Sequence, residues 1–121
     1  MLNRKNVIEK EIGQLIFDLK RGFIQFVTLH LICEKPRYAY EIKEDILKLT
    51  RGTFDIDRNN LYKKLRMLER DGFLKSQHKP SSHGANRKYY SITPHGKKLY
   101  KEMCQILIPV MASLHQRFKK K

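Results

Sequence analysis

NNLYKKLRMLERDGFLKSQHKPSSHGANRKYYSITPHG, residues 59–96, is the stretch whose reading decides the fold. It opens inside a helix that Asp57 can cap and that runs to about Arg70. Leu61, Leu65 and Leu68 recur at four- and three-residue spacing, which makes one buried stripe. Asp71-Gly72 breaks the helix. Phe73 to Lys79 then reads as a strand, PSSHGAN (80–86) as a turn, and Arg87 to Ile92 as the returning strand. That strand stops at a helix start: Thr93 can cap through its side-chain oxygen, and Pro94 fits the first helical position, where no amide donor is needed.

Outward from this stretch the pattern is helical on both sides. Ile8, Ile12, Leu15 and Leu19 lie at helical spacing, and Gly22 is expected to separate them from a more apolar helix over about Phe23 to Glu34. Lys35-Pro36 stops that second helix. A third runs from about Ala39 to Leu49, with Ala39, Ile42, Ile46 and Leu49 on one face, and Arg51-Gly52 ends it. Downstream, Pro94 to Lys120 reads as one long helix that Pro109 should kink. The expected fold is therefore mainly α with a small antiparallel β-hairpin. It is a winged helix-turn-helix with an N-terminal extra helix and a long C-terminal dimerisation helix. The expected division is 1–21 for the accessory helix, 22–93 for the DNA-binding domain and 94–121 for the dimerisation helix.

Charge says what such a domain would touch. The chain has 26 Lys and Arg against 12 Asp and Glu, a net charge of +14, which favours a polyanionic partner. Residues 58–98 carry 11 of the cations against only Glu69 and Asp71. On a helical wheel, Asn59, Lys63 and Arg66 fall opposite Leu61, flanked by Asn60, Tyr62 and Met67. Asn can bond adenine in two places, Lys and Arg can take guanine or phosphate, and Tyr can hold a phosphate. A merely solvated helix face would usually carry more acid. Lys79, Arg87 and Lys88 would lie along the backbone of double-stranded DNA or in the neighbouring minor groove, with Ser81, Ser82, His83 and Asn86 adding weaker contacts. Tyr89 and Tyr90 should point to opposite faces of their strand.

Three segments, YAYEI (38–42), NNLYKKLRMLERDGFL (59–74) and RKYYSITPHG (87–96), look like the signatures of PadR-like transcriptional regulators. The resemblance covers roughly Gly22 to Lys101. It implies a dimeric DNA-binding regulator, usually a repressor, whose C-terminal helix makes the homodimer. It also places Tyr40 on the second helix of the motif, Tyr62, Lys63 and Arg66 on the recognition helix, and Arg87 and Lys88 on the wing. Ala39 departs from the family's usual glycine, and Asn59-Asn60 and Lys63 depart from its more common small residues and proline.

The last helix suits a dimer on its own pattern. Tyr100, Cys104, Leu107, Met111, Leu114 and Phe118 recur at four-three spacing, with Leu99, Met103, Ile106 and Val110 beside them. So wide an apolar face needs a partner, and a second copy is the simplest one. The N-terminal helix, through Ile8, Ile12 and Leu15, is expected to pack near it. The family also admits a small hydrophobic or aromatic effector, for which Tyr100, Met103 and Phe118 are the candidate lining.

Other functional classes fit the sequence less well. His30 and Cys33, one turn apart, would suit a metal-sensing regulator, but a histidine and a cysteine in an apolar helix are more often core residues. Cys33 and Cys104 read as reduced, buried thiols of a cytoplasmic protein. An architectural, weakly specific DNA-coating protein is compatible with the charge. No phosphate-cradling loop, nucleophile elbow or metalloprotease motif is present, so no enzyme, cofactor or metal is expected. No apolar run approaches the roughly 18–20 residues that span a bilayer.

Overall fold

The computed structural model describes residues 3–82 and 84–120, so His83 lies outside the described residues. Four helices and three strands follow in the order α1 (Arg4–Glu34), β1 (Arg37–Tyr38), α2 (Ala39–Leu49), α3 (Arg58–Arg70), β2 (Leu74–Lys79), β3 (Arg87–Ile92) and α4 (Pro94–Lys119). Helix α3 starts where its cap places it. The Asp57 carboxylate accepts a hydrogen bond from the Asn59 amide at 3.1 Å. Its leucine stripe is closed off from water, with Leu61, Leu65 and Leu68 all at most 3% exposed. The chain then turns through Gly72 at φ +84°, in the left-handed region that glycine tolerates without a Cβ penalty.

Strands β2 and β3 pair antiparallel from Leu74↔Ile92 to Lys79↔Arg87, which is the expected wing hairpin. The sheet has one more member. β1 pairs with β3 on its other side, Arg37↔Tyr90 and Tyr38↔Tyr89, giving the order β1-β3-β2. A two-residue strand has no alternation to read, so sequence patterning missed it. Tyr90 faces the helices and is buried, while Tyr89 is half-buried on the opposite face, as expected of adjacent strand residues.

The core joins Ile24, Leu29 and Ile32 of α1 to Ile42 and Ile46 of α2, the α3 leucines, Leu74 and Tyr90. Each aliphatic side chain so buried contributes on the order of 1.5–3 kcal/mol. Phe54 and Ile56, in the extended link before α3, are buried there too. The turn from α1 into α2 is held by Arg37. Its Nε donates to the Leu31 carbonyl at 2.8 Å, and its guanidinium pairs with Glu34 and Asp45.

Four local expectations are corrected. Gly22 does not divide two helices: α1 runs unbroken for 31 residues. A helical glycine costs only about 1 kcal/mol relative to alanine, which the packing of the following turns offsets. Leu49 is 58% exposed, because it ends α2 beyond the edge of the core that Ile42 and Ile46 reach. The thiols are free but not buried, Cys33 being exposed and Cys104 half-buried. Ile8, Ile12 and Leu15 do not pack on α4 within the chain and are 51–63% exposed.

Helix α4 is fixed at its first turn. Thr93 Oγ1 accepts from the Gly96 amide at 3.0 Å and donates to the Gly72 carbonyl at 2.6 Å. One hydroxyl thus caps α4 and ties it to the exit of α3. Further along, Tyr100 stacks on Phe26 with ring centroids 5.7 Å apart and shares a 2.6 Å hydrogen bond with His30 Nδ1. The helix continues through Pro109 to Lys119. Among the described residues, no helix is long and apolar enough to cross a membrane.

Candidate nucleic-acid interface

Burying Leu61, Leu65 and Leu68 turns the other side of α3 outward. Asn59, Asn60, Tyr62, Lys63 and Arg66 are all exposed there, as the helical wheel requires. The face is free of acid: the carboxylate of Asp57 is at the cap, and Glu69 lies on the flank toward the sheet. Beside it, an open cleft of about 680 Å³ runs between α3 and the middle of α1, lined among others by Lys63, Met67, Phe17, Lys20 and Arg21. Asp18 and Asp57 line the same cleft, but its four cations, Lys20, Arg21, Lys63 and Lys64, outnumber them, so Lys20 and Arg21 extend the positive surface. Nothing in a local pattern could have assigned them to it, since they lie some forty residues upstream.

The wing residues separate into two groups. Lys79 and Arg87 are cross-strand partners at the mouth of the turn, and their side chains share one face of the sheet. The Arg87 guanidinium lies over the ring of Tyr38 at 4.5 Å, and the Lys79 ammonium over that of Tyr89 at 5.2 Å. Tyr38 and Tyr89 themselves meet edge to face at 5.4 Å. Tyr40, in the first turn of α2, is 58% exposed and stacks beside Tyr38 at 6.5 Å. Tyr38 was missed by the sequence reading, which took only Tyr40 from that motif.

Lys88 projects from the other face of β3. Its Nζ is 3.7 Å from Glu69 Oε1 on α3, while Ser76 on β2 donates to the second oxygen of the same carboxylate. Lys88 therefore joins the wing to α3, and the structure does not bring it together with Arg87. Burial raises the Tyr90 phenol pKa above its ordinary value, with the adjacent Lys88 charge opposing the shift.

The apolar residues expected at a dimer also divide. Leu99, Tyr100 and Met103 pack against the chain's own core, and Leu107 is half-buried. Met111, Leu114 and Phe118 are exposed, Phe118 by 72%. Among the described residues, no group of three or more His, Cys, Asp or Glu side chains is placed to hold a metal ion. His30 is engaged with Tyr100 and lies 3.8 Å from Glu34.

An outward helix of amides and cations beside a basic hairpin is an arrangement that other proteins share. Residues 28–102 match the model of the transcriptional regulator PadR-like family. A relative in Lysinibacillus sphaericus, uncharacterized protein X, is 37% identical over 86 residues, 71% of this chain and 79% of that one. A transcriptional regulator from Clostridium thermocellum superposes with a TM-score of 0.70 at 31% identity, covering 82% of this chain and 93% of its own. A PadR-like transcriptional regulator from Bacillus cereus gives 0.73 at 24% identity, with coverages of 84% and 96%. With the sequence family, the winged fold and the basic exposed face of α3 in agreement, this chain belongs to the PadR-like family of transcriptional regulators, DNA-binding proteins and not enzymes.

Proposed function

We propose that the protein is a cytoplasmic homodimer that represses transcription by occupying an inverted-repeat operator. The observation that carries the dimer is the apolar surface left to water at the two far ends of the chain. Ile12 and Leu15 on the first half of α1, and Leu114 and Phe118 on the second half of α4, are 51–72% exposed. Large apolar side chains left exposed along two helices are suited to an interface, and two copies related by a twofold axis would cover them. The dimer would then carry two α3 helices into successive major grooves, with half-sites about one helical turn apart.

In this reading Asn59, Asn60, Lys63 and Arg66 read bases, while Tyr40, Tyr62, Lys79 and Arg87 hold phosphates. The C-terminal segment 94–121 is the dimerisation helix, the N-terminal part of α1 is the accessory helix beside it, and residues 22–93 supply the DNA-binding unit. The test is fluorescence anisotropy on labelled duplex from the protein's own upstream region and on a scrambled duplex, each at two salt concentrations. A preference of about a thousandfold or more supports an operator-specific regulator. Equal affinities that fall together with salt would favour the architectural reading that the +14 charge also allows.

A further inference from the structure

We propose that Tyr38 is a positioning residue of the DNA interface, whose ring holds Arg87 in place for a phosphate before DNA arrives. The inference rests on the reading above that the wing touches DNA. Three observations converge on it. The third strand puts Tyr38 opposite Tyr89 in register, so both rings lie on the face that carries Lys79 and Arg87. Each ring then takes one cation over its face, Arg87 on Tyr38 at 4.5 Å and Lys79 on Tyr89 at 5.2 Å. The rings lock each other edge to face at 5.4 Å, and the Tyr38 backbone is itself fixed, its amide donating to the Glu41 carboxylate at 3.3 Å.

Among the described residues, Arg87 has none of the carboxylate pairs that occupy Arg37 and Lys88. An arginine held only by a ring keeps its N–H edge available, because cation–π contact uses the face of the guanidinium and leaves the in-plane donors for a phosphate. Long side chains lose rotamer freedom on binding, and pre-ordering one lowers that loss. The pair Lys79 and Arg87, spanning the mouth of the turn, would form two preset backbone contacts.

The experiment is a double-mutant cycle on the full chain, with Tyr38→Leu, Tyr38→Phe, Arg87→Ala and Tyr38→Leu/Arg87→Ala. Binding is read by anisotropy against salt, and folding by urea denaturation of each variant. Arg87→Ala should lower the slope of log K against log salt by about one. Tyr38→Leu should weaken binding about two- to fivefold, the size of an exposed cation–π contact, and Tyr38→Phe should restore it. In the Arg87→Ala background Tyr38→Leu should cost nothing further. An equal loss from Tyr38→Leu with and without Arg87 would overturn the positioning role while leaving the wing reading intact. An unchanged slope for Arg87→Ala would overturn the wing reading, and the proposal with it.

Discussion

Lys88 Nζ lies 3.7 Å from Glu69 Oε1, so the strand that ends the wing is tied to the last turn of α3. Both side chains are a third to two-fifths exposed, so the pair contributes at most about 1 kcal/mol to stability. Its larger effect is on charge at the interface, since the Lys88 cation already has a carboxylate beside it. We therefore expect Lys88→Ala to weaken DNA binding less than Arg87→Ala does. Glu69→Gln should strengthen binding to operator and random duplex together and steepen the salt dependence. A titration in which Lys88→Ala and Arg87→Ala lose equally would show that the ion pair does not persist on DNA.

Base reading is expected to reside on α3. Asn59→Ala and Lys63→Ala should each cut the ratio of operator to random-duplex affinity, by about 1–3 kcal/mol where a base contact is lost. Arg87→Ala should lower both affinities alike. Competition titrations with the two duplexes separate these outcomes, and a uniform loss in all three variants would remove the division between helix and wing.

Gly96 offers a test of sign. Alanine usually favours a helix over glycine by about 1 kcal/mol. Here a Cβ would stand 2.1 Å from the Phe73 carbonyl oxygen and 2.8 Å from Ile92 Cγ1, because the first turn of α4 lies directly on the start of β2. The backbone carbonyl cannot swing aside as a side-chain tip can. Gly96→Ala should destabilise by about 1–3 kcal/mol in urea unfolding, the usual cost of overpacking, whereas Gly13→Ala, with nothing within 4 Å, should stabilise.

The Tyr100 phenol makes a pH prediction. Burial first, and then the Cys104 thiol that bonds to it, push its pKa from 10.0 up to about 12. Below pH 10 the phenol is protonated whether the chain is folded or not, and its contribution to stability is whole. Above 10 the unfolded chain loses that proton first, so stability falls as pH rises toward 12 and levels off beyond. Tyr100→Phe should flatten this alkaline decline and cost about 1 kcal/mol at neutral pH through the lost bond to His30. Alkaline titration of tyrosine absorbance should lose one late-ionising phenol in the variant.

The proposed dimer surface could be broken without touching the core. Leu114→Asp and Phe118→Ser alter side chains that are 54% and 72% exposed in the single chain. Sedimentation should shift toward monomer, with helical circular dichroism retained and operator affinity reduced because two half-sites no longer act together. A monomeric wild type at micromolar concentration would remove the proposed interface.

Local patterning carried most of the elements. The leucine spacing of α3, the Asp57 cap, the Thr93-Pro94 start of α4 and the wing strands all follow from interactions within a few residues, where backbone geometry fixes which side chains share a face. The exposed face of α3 came with them, since burying Leu61, Leu65 and Leu68 leaves no other place for Asn59, Lys63 and Arg66. What local patterning could not decide was partnership. Gly22 looked like a break because helix ends are marked by glycine, yet packing of Ile24, Leu29 and Ile32 carries α1 through it. Strand β1 exists only because β3 lies beside it, and that pairing brings Tyr38 under Arg87, while the docking of the hairpin on α3 brings Lys88 to Glu69. Such contacts join residues far apart in the chain, and no short-range periodicity encodes them; they are settled when the core closes and the strands find their register.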